Sequence, residues 1–206
     1  MPTSDDELVP IARFRAPDGA LVVEVDLTRP HQHSVGDLIT RARCHGADKL
    51  WLHAHVLDAG LGFERRGSYT RLEAPRPPTP VELAFPPLSQ ISDIQRACFG
   101  DVWGRHDPDL PDPDSVFVGL HEGGVWVGIC EVDPEAQWID GPGVVPPLRT
   151  PDRYARLVQG AAAYLRAEPV VLETWGDAAS TLTAYASLGF EVVHSVSGWE
   201  LDLSEQ

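Results

Sequence analysis

Six of the thirteen residues in the run PRPPTPVELAFPP, positions 75–87, are proline. Proline has a fixed φ and no N–H, so a stretch this rich in it enters neither a helix interior nor a central strand. Regular structure must therefore form on either side. The run reads as a semi-rigid linker between a first part, residues 1–74, and a second part, residues 88–206. Both parts fall within ordinary domain sizes, and 206 residues suffice to bury a sizeable core.

Periodicity and turn residues predict an α/β chain, with mixed sheet flanked by helices. In the first part, ARF (12–14) and ALVVEVD (20–26) flank Asp18-Gly19, a hairpin signal. Ser34 suits the N-cap of a helix that runs to Cys44 and stops at Gly46. KLWLHAH (49–55) alternates as a strand, and 61–73 gives a turn and a further strand. In the second part, Leu88, Ile91, Ile94 and Cys98 recur at helical spacing. Residues 115–122 and 125–133 form a hairpin about Gly123-Gly124, and 136–146 is a strand interrupted by Gly141-Pro142-Gly143. Thr150 caps a helix with Pro151 at its first position. A strand (170–175), a helix (178–187) and two strands (188–193 and 198–203) complete the pattern.

Composition narrows the function. Sixteen basic residues stand against 31 acidic ones, a formal net charge of −15. Such a chain repels phosphate backbones and anionic membranes and attracts cationic small molecules. Lys49 is the only lysine, which excludes a P-loop lysine. No apolar run approaches the roughly 18 residues of a membrane helix, and the acidic start MPTSDDELVP is not a secretory leader. Cys44, Cys98 and Cys130 fit neither a disulfide framework nor a zinc cluster, so a reducing cytoplasm is the expected compartment.

The two parts look related. Leu61-Gly62-Phe63-Glu64 and Leu188-Gly189-Phe190-Glu191 match letter for letter, and each precedes an extended segment. The shared element order predicts an internal structural repeat.

In the second part, Val144-Val145-Pro146-Pro147-Leu148-Arg149 lies between a strand and a helix, and Tyr185 is followed by Leu188-Gly189-Phe190. With the element order, these motifs give the second part a pattern that resembles the GNAT superfamily of acyl-CoA-dependent N-acyltransferases. It implies tandem GNAT-like lobes: a truncated, non-catalytic one over 1–74 and a more complete one over 88–206. It further implies acetyl-CoA as co-substrate and transfer of its acetyl group to an amine of a small molecule. The cofactor would lie against Val144, Val145, Arg149, Thr150, Arg153 and Tyr154. A backbone N–H near Val145 would polarise the thioester carbonyl. Tyr185 would protonate the departing thiolate, a task suited to a phenol of ordinary pKa about 10. The general base would be a strand carboxylate, Asp140 first, with Glu131 and Asp133 as alternatives. No nucleic acid, membrane or metal is expected as partner, and a homodimer is left open.

The chain departs from the family pattern at one place. Where the family continues with glycines, this sequence has Thr150-Pro151-Asp152-Arg153-Tyr154. Pro151 removes an N–H donor, Asp152 adds a negative charge, and side chains at Asp152 and Tyr154 limit approach to the backbone. Arg149 and Arg153 could compensate through bidentate phosphate contacts. The alternative reading is a catalytically inactive GNAT-like module that binds a ligand or a protein. Three weaker features complete the set: an acidic loop at 107–114 that could steer a cationic acceptor, Asp177 as a helix cap, and histidines at 31, 33, 45, 53 and 55. Of these histidines, His53 and His55 share a strand face and could hold a metal.

Overall fold

A computed structural model describes residues 12–16, 18–28, 34–57, 59–100, 115–166, 168–176 and 178–204. The acidic loop 107–114, Asp177, His31 and His33 lie outside these. The chain divides into two compact units, residues 1–67 with 196–206, and residues 68–195. These do not coincide with a boundary at the proline run: residues 68–87 group with the second unit and 196–206 with the first.

In the first unit, β1 (Ala12–Arg15) pairs antiparallel with β2 (Leu21–Asp26), and β2 pairs parallel with β3 (Lys49–Ala54). The end of β9 (Glu191–Asp202) then pairs antiparallel with β3. The crossover between β2 and β3 is α1 (Val35–Cys44), which starts where expected because Ser34 and Asp37 form a capping box. Its Leu38 and Ala42 pack on Val23, Val25, Leu50, Leu52 and Phe63. On the row Glu24, Trp51, Glu200, the Trp51 indole N–H donates to Glu200 at 2.7 Å. Glu200 also accepts from Arg66 at 2.7 Å. His53 is buried with its Nε2 2.5 Å from Glu24 Oε1, while His55 is exposed beyond the end of β3. Among the described residues no group of three metal-ligating side chains forms.

The second unit has the strand order β5–β6–β7–β8–β4, with β4 at Glu64–Ala74, β5 at Val116–Glu122, β6 at Val125–Asp133, β7 at Trp138–Val144 and β8 at Val170–Trp175. All neighbours are antiparallel except β7 and β8. One face carries α3 (Pro151–Ala162) and α4 (Ala179–Ser187), whose Leu157, Val158, Ala161 and Tyr185 are buried on Val132, Ile139 and Leu172. The other face carries α2 (Leu88–Phe99), whose Ile91, Ile94 and Cys98 pack on Phe117 and Ile129.

The proline run is not a free linker. Val81 N–H donates to Gln159 O, Ala84 O accepts from Gly119 N–H at 2.9 Å, and Phe85 stacks edge-on against Tyr164. Leu83 fills the space that a side chain at Gly160 would need. Prolines leave the segment extended, but the interspersed Val, Leu and Phe give it apolar surface to bury.

The matched tetrapeptides play the same local part. Gly62 and Gly189 both sit at positive φ (77° and 94°), Phe63 and Phe190 are both buried, and Glu64 and Glu191 each begin a strand. The closing segment differs from the expected two strands. Residues 191–202 form one strand, which runs through the expected gap at 194–197 and pairs Ser197 with Ala54.

An alanine in a helix interior ordinarily stabilises by about 1 kcal/mol over glycine. Gly160→Ala is expected to do the opposite here, destabilising by about 1–3 kcal/mol through overpacking on Leu83. In a Leu83→Ala background the same change should become stabilising. Urea midpoints of the four proteins test this.

Candidate functional site

Strands β7 and β8 pair for three rungs, Trp138 with Val171, Ile139 with Leu172 and Asp140 with Glu173. The cause of the parting beyond them is local. Gly141 adopts φ 47°, Pro142 has no N–H to offer, and the register against β6 slips between Ile129 and Glu131. A cleft of about 200 Å3 opens beyond the last rung, lined among others by Gly143, Tyr154, Trp175, Gly176 and Thr181. Phe99, at the end of α2, lies against Gly143 so closely that a Cβ there would collide with its ring.

The cleft ends at the start of α3. Thr150 accepts from Arg153 N–H at 3.4 Å and caps the helix, with Pro151 at its first position, as its sequence predicts. Both flanking arginines are engaged within the protein. Arg149 donates from Nε to Val144 O at 3.0 Å and from a terminal nitrogen to Cys98 O at 2.8 Å. Arg153 grips Glu122, with Nε 3.2 Å and a terminal nitrogen 2.7 Å from Oε2, and its other terminal nitrogen donates to Leu148 O at 2.9 Å. Val145 N–H itself donates to Val127 O at 3.0 Å. The Val144 side chain is fully buried in the core. Tyr154 lines the cleft and meets Tyr185 edge-on at 6.5 Å, whereas Tyr185 is buried behind that wall.

On the sheet face that carries α2, registers place Glu131, Asp140 and Glu173 in one row across β6, β7 and β8, with Arg71 next to Glu173 on β4. Glu131 accepts from the Ser115 hydroxyl at 2.5 Å. Arg71 approaches Glu173 to 3.5 Å, and the Tyr69 hydroxyl also bonds to Glu173. Burial, then the charges of Glu131 and Glu173, push the Asp140 carboxyl up to about 7. Burial and the same Glu173 hold the Tyr69 phenol well above its ordinary value. Burial also pushes the Cys98 thiol up to about 12, which leaves it no nucleophile at neutral pH.

The structure thus brings Arg149, Thr150 and Tyr154 to one cleft and Asp140 and Glu131 to one carboxylate row. Sequence reading missed Glu122, Glu173, Phe99 and Tyr69. Glu122 meets Arg153 from 31 positions away, and only the β5–β6 hairpin brings it there. Glu173 has the one legible signal, a charged residue in the middle of an otherwise apolar strand.

No protein-family model and no curated protein matches the chain. Solved structures do. A GCN5-related N-acetyltransferase from Sphaerobacter thermophilus is similar over 82% of this chain, with TM-score 0.55 and 17% identity. This chain spans 65% of that protein's length. A GCN5-related N-acetyltransferase from Kribbella flavida is similar over 87% of this chain and 80% of its own, with TM-score 0.51 and 16% identity. A Staphylococcus epidermidis protein of unknown function reaches TM-score 0.54 at 12% identity, over 89% of this chain and 84% of its own. The chain has the GNAT fold.

A carboxyl whose pKa is raised on folding binds its proton more tightly in the folded state. Its contribution is fully present below the unfolded value of 3.8 and is lost as pH rises through about 7. Stability should therefore fall between pH 4 and 7 from this group, by at most about 1.4 kcal/mol per pH unit. Asp140→Asn is expected to flatten that decline, so that the variant gains over the parent at pH 8 and not at pH 4. Urea midpoints at the two pH values check it.

Proposed function

We propose that this protein transfers an acyl group, acetyl from acetyl-CoA, to an amine of a small molecule. The observation that carries the reading is the parting of β7 and β8 directly after Asp140, a buried carboxyl with its pKa near 7. A base poised near ambient pH is matched to taking a proton from an ammonium and giving it up again. The GNAT fold of the neighbours supports the same reading.

The co-substrate, when bound, supplies an acyl group activated as a thioester. The cleft that opens beyond the last β7–β8 rung would hold its arm. The α3 start, with Arg149, Thr150 and Arg153, would hold its phosphate end, and Tyr154 would wall the cleft. Asp140 accepts the proton of the incoming ammonium, directly or through a water, and Glu131 and Glu173 keep its neighbourhood attractive to a cation. Tyr185 lies one layer behind Tyr154 and would protonate the leaving sulfur only once that wall gives way. The three cysteines are free and no described helix is long and apolar enough to cross a membrane, which accords with an assignment to the cytoplasm.

A second reading, a ligand-binding module without turnover, is favoured by one observation. Arg149 and Arg153 are both committed to partners within the protein.

Initial rates with acetyl-CoA and a panel of amines separate the two. Under the acyltransferase reading, kcat/KM rises with pH through about 7, the value at which Asp140 ionises. Asp140→Asn should then lower kcat by about 10²-fold or more. Failure to bind acetyl-CoA in calorimetry, with no turnover of any amine, makes the module reading the correct one.

A further inference from the structure

We infer that Glu122 is an internal stand-in for the cofactor's diphosphate, and that acetyl-CoA gains Arg153 only by displacing it. This rests on the acyl-CoA reading above and adds to it a residue that sets cofactor affinity. Two N–H groups of Arg153 reach one carboxylate, Nε to both Glu122 oxygens (3.3 and 3.2 Å) and a terminal nitrogen to Oε2 (2.7 Å). Arg156, one turn further along α3, adds a contact to Oε1 at 3.4 Å. The third Arg153 nitrogen is tied back to Leu148 O, which fixes the guanidinium over the first turn of α3. There the helix dipole adds its own attraction for an anion. The Arg153 and Arg156 guanidiniums lower the Glu122 pKa, and Glu122 in turn raises that of Arg153.

Carboxylate and phosphate present the same acceptor geometry to a guanidinium fork. A diphosphate arriving at this helix start meets an arginine already neutralised, together with the negative charges of Glu122 and Asp152. Three features deepen the dependence on Arg153. Pro151 offers no N–H, Thr150 Oγ1 takes the Arg153 N–H, and Arg149 is spent on two carbonyls. The hairpin tip beyond Glu122 is Gly123-Gly124, both at positive φ and with open space around them, so the carboxylate stands on the last rung of the hairpin, beside its turn. The ion pair is solvent-accessible, with side chains 24% and 31% exposed, so it is an exchangeable contact and not part of the core.

The test is calorimetric titration of the full chain with CoA and with acetyl-CoA at low ionic strength. It uses the parent, Glu122→Gln, Arg153→Ala and the double variant, with melting curves to establish that each is folded. Glu122→Gln is expected to bind about tenfold more tightly than the parent, and the double variant should lose that gain. Equal affinity of parent and Glu122→Gln, or weaker binding by the variant, overturns the inference and leaves the acyl-CoA reading standing. A gain that persists without Arg153 also overturns it, since general charge removal then accounts for the effect. Absence of binding by all four folded proteins overturns the inference and the acyl-CoA reading together.

Discussion

The hydrogen bonds that β7 and β8 leave unmade past Asp140 and Glu173 are the constraint around which the second unit is arranged. A backbone group buried without a partner costs about as much as a lost hydrogen bond, so strands in a core do not part without compensation. Here the compensation is specific. Pro142 has no donor to satisfy, Val144 O receives the Arg149 guanidinium, and Val145 N–H turns to Val127 O. Phe99 covers the side of β7 where Gly143 leaves room for it. Arg149, which takes up Val144 O on the open side of β7, is thereby engaged within the fold.

The acidic excess of the chain reaches into both units. In the second, Glu131, Asp140 and Glu173 lie side by side with Arg71 as the cation at the row's end. Three carboxylates on adjacent strands cannot all ionise cheaply, and Asp140, with Glu131 and Glu173 on either side, has its pKa raised by burial and by their charges. In the first unit Glu24 is paired with His53, and Glu200 accepts from Trp51 and Arg66. Similar residue types on similar strands therefore give a structural network in one unit and a titrating site in the other. The difference lies in the availability of partners.

Local chemistry was legible in the sequence. The capping box at Ser34, the Thr150-Pro151 helix start, the Gly123-Gly124 turn and the bulge at Gly141-Pro142-Gly143 each depend on residues within a few positions of one another. The Asp140 position was legible for the same reason, as a carboxylate on the strand ahead of Val144. What escaped was pairing at long range. Arg153 reads as a phosphate ligand until Glu122 is seen beside it, and Asp140 reads as one carboxylate among several until the β6 and β8 registers bring Glu131 and Glu173 alongside. The proline run reads as a linker from its composition, yet Val81, Leu83 and Phe85 give it enough to pack. Residues 194–197 read as a gap between two strands, and pairing such as that of Ser197 with Ala54 makes them part of one.

Two strands begin in one unit and finish in the other: β4 starts at Glu64 and β9 at Glu191, and the division falls at 67/68 and at 195/196. The first unit is thus not a continuous stretch of chain, and a cut at the prolines would part β4 from β8, the strand it pairs with. Residues 88–206 alone would strip β8 of its six rungs with β4, Tyr69 to Ala74. That would leave Val170, Val171 and Leu172 on a bare edge, open to pairing with another copy. Expression of residues 88–206 by themselves would then favour aggregation through that edge.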